Sequence, residues 1–526
     1  MSSFDIVIKN GRIIDGTGNP WFKADVGVKD KKIAKIGKID TQKATLVIDA
    51  KELIVCPGFI DPHNHSDTTV FANSRLESMI GQGITTLICG NCGFSMAPLV
   101  EARKEEIKTY LGFLLLGKPN WDWHTVGDFL QKLEKLGIGA NFGTLVGHGT
   151  VRLGVMGFED RDPTPNELDD MKKMVEQAME DGAFGMSSGL GYPPGVFSKT
   201  SELIELCKVV AKYGRIYATH MRAGIANLNE PIEIGEKANV PVQISHLGSS
   251  RGGISELKGK HKETSLKILE DARAKGIDVI ADVYPYNAGS TYLGSMPPRW
   301  AQEGGISELL KRIQDPETRE KIKREMAGRA WDKTMFVYSP TGKNRELEGK
   351  TFVEIGKIKG KDPTEAALEI ILDEKGGGMH IGFFGEESDV ETLLSAPFAC
   401  FGTDGWAHAP YGEAHVGKPH PRCYGTYARV IERFVRDLKT LSLEEAIKKS
   451  TSLPAQRFKI WDRGLVREGM WADIIIFDPF KIHEVSTYTD PHHYPEGIQY
   501  VFVNGTAVVE KGEHNKTLPG MILRAR

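Results

Sequence analysis

Six side chains able to hold a metal ion stand at or just past the ends of short apolar runs. His63 and His65 occur in "CPGFIDPHNHSD", Cys92 in "CGNCG", His220 in "ATHMR", His246 in "QISHLG" and Asp404 in "FGTDG". The His-x-His pair alone carries little, because 15 histidines in 526 residues produce about 0.4 such pairs by chance. Its weight comes from its companions. Residues i and i+2 of a strand share a face, so both imidazoles can serve one ion. His220 and His246 close two neighbouring runs and can serve a second, with Cys92 as a thiolate bridging the pair. Imidazole, thiolate and carboxylate together suit zinc. Zinc lowers the pKa of bound water from roughly 15.7 to about 7. An unligated oxygen of Asp404 can take the proton released and pass it to a leaving amine.

Such groups meet only if the fold brings run ends to one rim. Eight apolar, β-branched runs alternate with amphipathic helical segments: 53–61, 84–90, 141–147, 183–189, 215–220, 241–246, 278–286 and 398–404. Eight parallel strands with intervening helices predict an α/β fold, a (β/α)8 TIM-like barrel, whose functional groups gather at the C-terminal ends of the strands. A further run, "MHIGFF" at 379–384, is a rival for one strand position. The Gly-, Pro- and charge-rich stretch at about 287–350 is expected to be an insertion or lid. Thr164, Pro165 and Glu167 predict a capped helix start, with Leu168, Met171, Met174 and Ala178 on its inner face.

The two ends read alike and unlike the middle. Asn10-Gly11 and Asn504-Gly505 are hairpin signals, and "VGVKDKKIAKIG" adds another hairpin. Residues 1–58 and 462–526 are therefore expected to build one small β-sandwich domain from both termini, around a barrel spanning 59–461.

Composition excludes several classes. The net charge of -3 gives no electrostatic footprint for nucleic acid or an anionic membrane surface. No apolar stretch approaches the roughly 18 residues of a membrane helix, and the start lacks the pattern of a signal peptide. Six scattered cysteines form no disulfide framework, so a cytoplasmic protein is expected. A homo-oligomer is left open. Cys89 reads as core, a zinc ribbon is excluded by the lack of a second C-x-x-C, and His148, His492 and His493 read as structural.

With these residues in place the chain resembles the amidohydrolase superfamily, and within it the N-acyl-D-amino-acid deacylases. "PGFIDPHNHSD", "GNCGFSMAP", "SSGLGYPPG", "YATHMR", "DVYPYNAGST", "HPRCYGTYARV" and "TSLPAQRFKI" carry the likeness in order along essentially the whole sequence. Many relatives bridge two metals with a carboxylated lysine on the fourth strand. Here that strand reads "FGMSSGLG", without lysine, while Cys92 stands ready. The resemblance implies that Cys92, His220 and His246 hold one tight Zn2+ and that His63, His65 and Asp404 frame a second, weaker position. It implies Asp404 as the proton shuttle, Tyr192 as a carbonyl-side or substrate contact, and Tyr284, Ser290 and Arg422 as partners of the substrate α-carboxylate. The family often has a lysine two residues after the sixth-strand histidine. Gly248 stands there instead, with Arg251 as a stand-in from the same loop. The stretch from Asp404 to Arg422 is longer than usual, and its Trp406, His408, Tyr411 and His415 are expected to reshape the pocket.

The expected activity is zinc-dependent hydrolysis of N-acyl-D-amino acids, a small-molecule substrate, to a carboxylate and a free D-amino acid. Chirality comes from the resemblance alone. The rivals are a cyclic amidase or a deacylase of another amide on the same scaffold, and a non-catalytic assembly protein, which would be expected to have lost metal ligands.

Overall fold

The computed structural model describes residues 4–113, 115–222, 225–248, 261–383 and 385–526. Its centre is a run of parallel strands: β1 (Phe59–Asp61), β2 (Ile84–Cys89), β3 (Asn141–Thr144), β4 (Gly185–Gly189), β5 (Ile216–His220), β6 (Val242–Ile244), β7 (Val279–Val283) and β8 (Ala399–Phe401). Each of the eight apolar runs read from the sequence contains one of these strands, but the first, 53–61, also holds Ile54–Pro57, which joins a different sheet. The strands of the parallel set are short and buried on both faces, as parallel strands covered by helices must be. β1, β2 and β3 form one three-stranded sheet. Val146–Gly147, just past the end of β3, joins β4, β5, β6, β7 and β8 in a six-stranded sheet. The two ladders meet at Leu145. At the other seam, past the ends of β1 and β8, a single parallel bridge joins Asn64 to Gly405.

That seam is tight for a reason visible in two residues. A Cβ on Gly402 would sit 2.9 Å from His63 Cβ, so only glycine lets the strand ends approach this closely. The carboxylate of Asp61 then fastens them, accepting from Thr403 N at 3.0 Å, Thr403 Oγ1 at 2.6 Å and Asn64 Nδ2 at 2.7 Å. Helices close over the strands by the rules their sequences obey. Pro165–Glu180 begins with the expected capping box of Thr164 and Glu167 and buries Met171, Val175, Ala178 and Met179.

Between β7 and β8 the chain leaves the parallel strands. Ala288–Tyr292, Met379–Phe383, Thr334–Tyr338 and Lys350–Thr351 make a four-stranded antiparallel sheet. Leu309, Ile313, Phe336, Phe352 and Ile370 give this excursion a core of its own. The rival run at 379–384 therefore belongs here and not among the parallel strands.

Both termini share one nine-stranded sheet. Its seam is the antiparallel pairing of Ile54–Pro57 with Ile474–Phe477, and Ile8, Val26, Val28, Ile474, Ile476 and Phe502 pack beside it. Two expected hairpins form, with positive φ at Asp30 and Lys31 and at Asn504 and Gly505. The third does not. Asn10 and Gly11 lie inside the continuous strand Phe4–Ile13, whose register with Phe22–Lys29 shifts between Ile8 and Gly11. Asn10 takes a left-handed φ of 63° there, but its N–H donates to Asp25 and its Nδ2 to Asp49, each at 2.9 Å. With both flanking strands holding it, the residue makes a bulge and the strand runs on.

A buried polar knot ties this sheet to β3. Asp473 accepts from Arg463, from Asn504 N at 2.7 Å and from Asn141 Nδ2 at 3.1 Å. Arg463 and Asp473 are both buried, so Asp473→Ala leaves an uncompensated buried cation. The expected loss is about 3–5 kcal/mol, read as a shift of the urea midpoint. A shift worth under about 1 kcal/mol would show that the knot does not hold the two layers together.

Candidate metal centre

The strand ends converge on one cluster of donor atoms. His63 and His65 follow β1, Cys92 follows β2, His220 ends β5, His246 follows β6 and Asp404 follows β8. Cys92, His246 and Asp404 all take left-handed backbone angles, with φ of 53°, 36° and 47°. Such angles cost a non-glycine residue of order 1–3 kcal/mol and persist only where the surroundings over-determine them. Here the surroundings do so. His246 N donates to Asp282 Oδ1 at 2.7 Å and Asp404 N donates to His63 O at 2.9 Å.

The atoms fall into two groups, His63, His65, Cys92 and Asp404 in one and Cys92, His220 and His246 in the other, each with donor atoms within 4.8 Å of one another. Cys92 belongs to both. Its Sγ lies 3.3 Å from His63 Nε2 and 3.6 Å from His246 Nε2. Asp404 Oδ1 lies 3.3 Å from His63 Nε2 and 3.2 Å from His65 Nε2. A tetrahedral zinc with ligands at about 2.0–2.3 Å separates its donors by about 3.3–3.8 Å, so spacing and donor chemistry both fit that ion. β4 brings Ser187 and Ser188 to its end of the rim, and Ser188 is engaged with Tyr217 at 2.6 Å and Thr219 at 2.9 Å.

Charge is organised around the sulfur. Burial alone would raise the Cys92 thiol, but the His63 charge and hydrogen bonds from His220, His246 and His63 outweigh it and hold the thiol well below its ordinary range. Burial likewise opposes the charged forms of His63 and Asp404. Asp282, Cys92 and Asp404 nevertheless keep His63 well above the usual imidazole value, and Arg422, His63 and His246 keep Asp404 well below the usual carboxylate value. His220 moves the other way, lowered by burial and by the neighbouring His246. Asp282 is the residue that sequence reading missed. It accepts from His63 Nδ1 at 3.0 Å, from the His246 backbone and from Gln243 Nε2 at 2.7 Å. It thus orients one histidine of each group. Its only signal was a carboxylate inside the apolar run "VIADV".

A cavity of about 280 Å³ opens over the cluster, lined by His65, Cys92, His220, His246 and Asp404 on one side. Tyr192, Tyr284, Ser290 and Arg422, all expected at the site, line it too. The Tyr192 ring lies 4.6 Å from that of His220, tilted by 50°, and its hydroxyl accepts from Thr291 Oγ1 at 3.1 Å. Arg422 is buried, lies 4.8 Å from the Tyr284 ring and places Nη1 2.8 Å from Asp404 Oδ2. Arg329 and His380, from the excursion between β7 and β8, also line the cavity and carried no sequence signal. Arg251 lies outside the described residues. Gly248 has a physical reason to differ from the lysine of relatives. Its φ is 93°, and a Cβ there would lie 2.4 Å from Leu393 Cδ1.

Cys89 is buried core, as expected, and His148 is paired with Glu202 at 2.7 Å and is not part of either donor group. Of the residues expected to reshape the pocket, Trp406 lines the cavity, whereas His408, Tyr411 and His415 do not. Tyr411 instead reaches Glu77 at 2.5 Å. His408 is buried with Nδ1 donating to Ala414 O at 3.1 Å, and burial followed by the His492 charge lowers its pKa to about 3. Its unfolded value of about 6.5 is higher, so below that pH the unfolded chain gains a proton that the folded chain refuses. Stability is therefore lost as pH falls from about 6.5 towards about 3, by at most about 1.4 kcal/mol per pH unit from this group. Replacing it in His408→Gln should flatten the dependence of the urea midpoint between pH 6.5 and pH 5. An unchanged slope would show that another group carries it.

The model of the amidohydrolase family matches residues 46–509. The D-aminoacylase of Alcaligenes xylosoxydans xylosoxydans is 33% identical, covering 97% of this chain and 96% of its own. The solved structure of a D-aminoacylase with a binuclear metal centre superposes with a TM-score of 0.83 at 32% identity, covering 99% of this chain and 100% of that one. An N-acyl-D-glutamate deacylase of Bordetella bronchiseptica, in complex with zinc and a phosphonate mimic of the tetrahedral intermediate, gives the same TM-score at 30% identity and the same coverage. On its sequence, its fold and the donor set at its strand ends, this chain belongs to the amidohydrolase family.

Proposed function

We propose that the protein is a zinc-dependent deacylase that hydrolyses N-acyl-D-amino acids to a carboxylate and a free D-amino acid. The observation that carries this reading is the pair of donor groups sharing Cys92 on the floor of a cavity whose wall holds Arg422. The full-length likeness to D-aminoacylases supports it. The alternative of a non-catalytic assembly protein gains nothing from a chain in which every donor remains and is aimed at its neighbours.

In this reading the parallel strands β1 to β8 form one (β/α)8 barrel with seams at Leu145 and at Asn64–Gly405. The terminal sheet, 1–58 with 462–526, is its sandwich partner, and the insertion runs from about 287 to about 383. Six free, buried cysteines suit a cytoplasmic location.

Cys92, His220 and His246 would hold the tighter Zn2+, and His63, His65 and Asp404 would frame the weaker position. Bound zinc supplies a Lewis acid that polarises the acyl carbonyl and makes water acidic enough to attack at neutral pH. The chain supplies the rest. Asp404 is fixed at both oxygens, Oδ1 by His63 and His65 and Oδ2 by Arg422. It takes the proton of the attacking water and returns it to the departing amine nitrogen. Arg422 turns its Nη2 towards the Ser290 carbonyl at 3.4 Å. With Tyr284 and Ser290 it meets the substrate α-carboxylate, so one guanidinium links substrate recognition to the orientation of the proton shuttle. Tyr192, against His220, covers the acyl carbonyl side.

The direct test is amine release by the purified, zinc-supplemented protein from matched N-acetyl-D- and N-acetyl-L-amino acids. Release from the D forms alone is expected, whereas equal release from both, or from neither, would overturn the reading. Asp404→Asn should lower kcat by about 10²–10⁴-fold while zinc remains bound at Cys92, His220 and His246, as metal analysis would report. Near-normal turnover would remove Asp404 from the proton path.

A further inference from the structure

A second cavity, of about 300 Å³, lies beside the first and takes no part in the chemistry just derived. Tyr110, Phe158, Tyr292, Ile306 and Leu309 are among its walls, and it shares Phe113 with the reaction cavity. The Phe113 ring, on both linings, packs 4.2 Å from that of Tyr292 at 31°, and this pair forms the partition between the two spaces. Tyr292 is 5.7 Å from Tyr192, whose ring is 4.6 Å from that of His220, so a line of rings leads from the acyl carbonyl side into the second cavity. Arg422, Tyr284 and Ser290 line the reaction cavity and not the second one. The substituent of a bound amide that points towards the partition is thus the one on the carbonyl carbon, not the one bearing the α-carboxylate.

We propose that the second cavity is an acyl-chain pocket and that the preferred substrates carry a linear acyl group of about six to eight carbons, an inference that rests on the deacylase reading. At about 30 Å³ for a water-sized group, the space holds roughly ten such groups, enough for the methylenes beyond the partition. Its walls come from two bodies. Tyr110, Phe113 and Phe158 follow β2 and β3, while Tyr292, Ile306 and Leu309 belong to the excursion after β7. A chain seated there is held between apolar side chains with its carbonyl still over the metal cluster. Each methylene removed from water should favour the longer substrate by about three- to fourfold until the pocket is filled.

The test is a series of N-acyl-D-amino acids from acetyl to decanoyl with one amino acid held constant, assayed with the zinc-loaded protein. In the unmodified protein kcat/KM should climb with chain length to about six to eight carbons and then level. Ile306→Phe narrows the pocket from within, and Thr109→Trp, at its exposed rim, narrows it without touching the buried core. Each should abolish most of the climb while keeping kcat/KM for the acetyl substrate within about twofold. A flat series, or a climb that survives in both variants, would overturn the proposal. So would a climb that appears instead on lengthening the amino-acid side chain with acetyl held constant. Absence of amine release from every substrate would count against the deacylase reading, not this one. Calorimetric titration with octanoate then decides the pocket alone, with binding weakened by Ile306→Phe expected and no binding overturning it.

Discussion

A sulfur in a dry site can remain a thiolate only if positive or hydrogen-bonding groups surround it, and much of this structure serves that condition for Cys92. Burial pushes the thiol towards neutrality, and three imidazoles reverse the effect. Those imidazoles come from β1, β5 and β6, so the sulfur can keep its charge only when widely separated segments are in register. The left-handed backbone at Cys92, His246 and Asp404 belongs to the same requirement. His246 and Asp404 are held there because a neighbouring strand or its end supplies a carboxylate or backbone partner. Strain and charge are therefore stored together at the rim, and the hydrogen-bonded strands beneath supply the rigidity that both need.

The seam between β1 and β8 shows how that rigidity is achieved where the ladder is weakest. Only one isolated bridge joins the two strands. Asp61 replaces the missing ladder with side-chain bonds to Thr403 and Asn64, and burial pushes its carboxyl up to about 6 despite those bonds. Asp282 performs the equivalent task between β7, β6 and His63. Two buried carboxylates thus position histidines without belonging to either donor group. A backbone ladder could hold the strands, but it could not fix the orientation of an imidazole ring.

How much of this could be read beforehand follows from which interactions are local. The eight strand runs, the capped helix at Pro165 and the hairpins at Asp30 and Asn504 are set by short patterns of polarity and turn chemistry, so they were legible. The donors were legible because metal-capable side chains at strand ends are rare in combination. Asn10-Gly11 carried the same local signal as Asn504-Gly505, yet Asp25 and Asp49, distant in sequence, turned it into a bulge. The run at 379–384 had strand character but no mark of its partner, and only pairing with Ala288–Tyr292 and Thr334–Tyr338 excluded it from the parallel set. Asp61 and Asp282 looked like polar interruptions of apolar runs. The family resemblance offered Arg422 as a carboxylate partner, but its ion pair with Asp404 has no signature in spacing.

The excursion between β7 and β8 gives this arrangement a division of labour. Its sheet packs into the core of the parallel strands through Tyr292, Met335, Val337, Met379 and Ile381, whereas Leu309, Ile313, Phe352 and Ile370 form a second core whose packing can change without moving the metal donors. Its strand Ala288–Tyr292 nevertheless begins just beyond β7 and places Ser290 and Thr291 on the reaction cavity and Tyr292 on the second. The Ser290 carbonyl lies 3.4 Å from Arg422 Nη2, Thr291 Oγ1 donates to the Tyr192 hydroxyl and Tyr292 lines the second cavity, so one short segment reaches all three. Substitution within this segment or behind it alters what surrounds the substrate, while β1, β2, β5, β6 and β8 keep the chemistry fixed. A fold that keeps strained, charged donors on one set of elements and substrate contacts on another can change its substrates without reopening the site that Cys92 requires to stay closed.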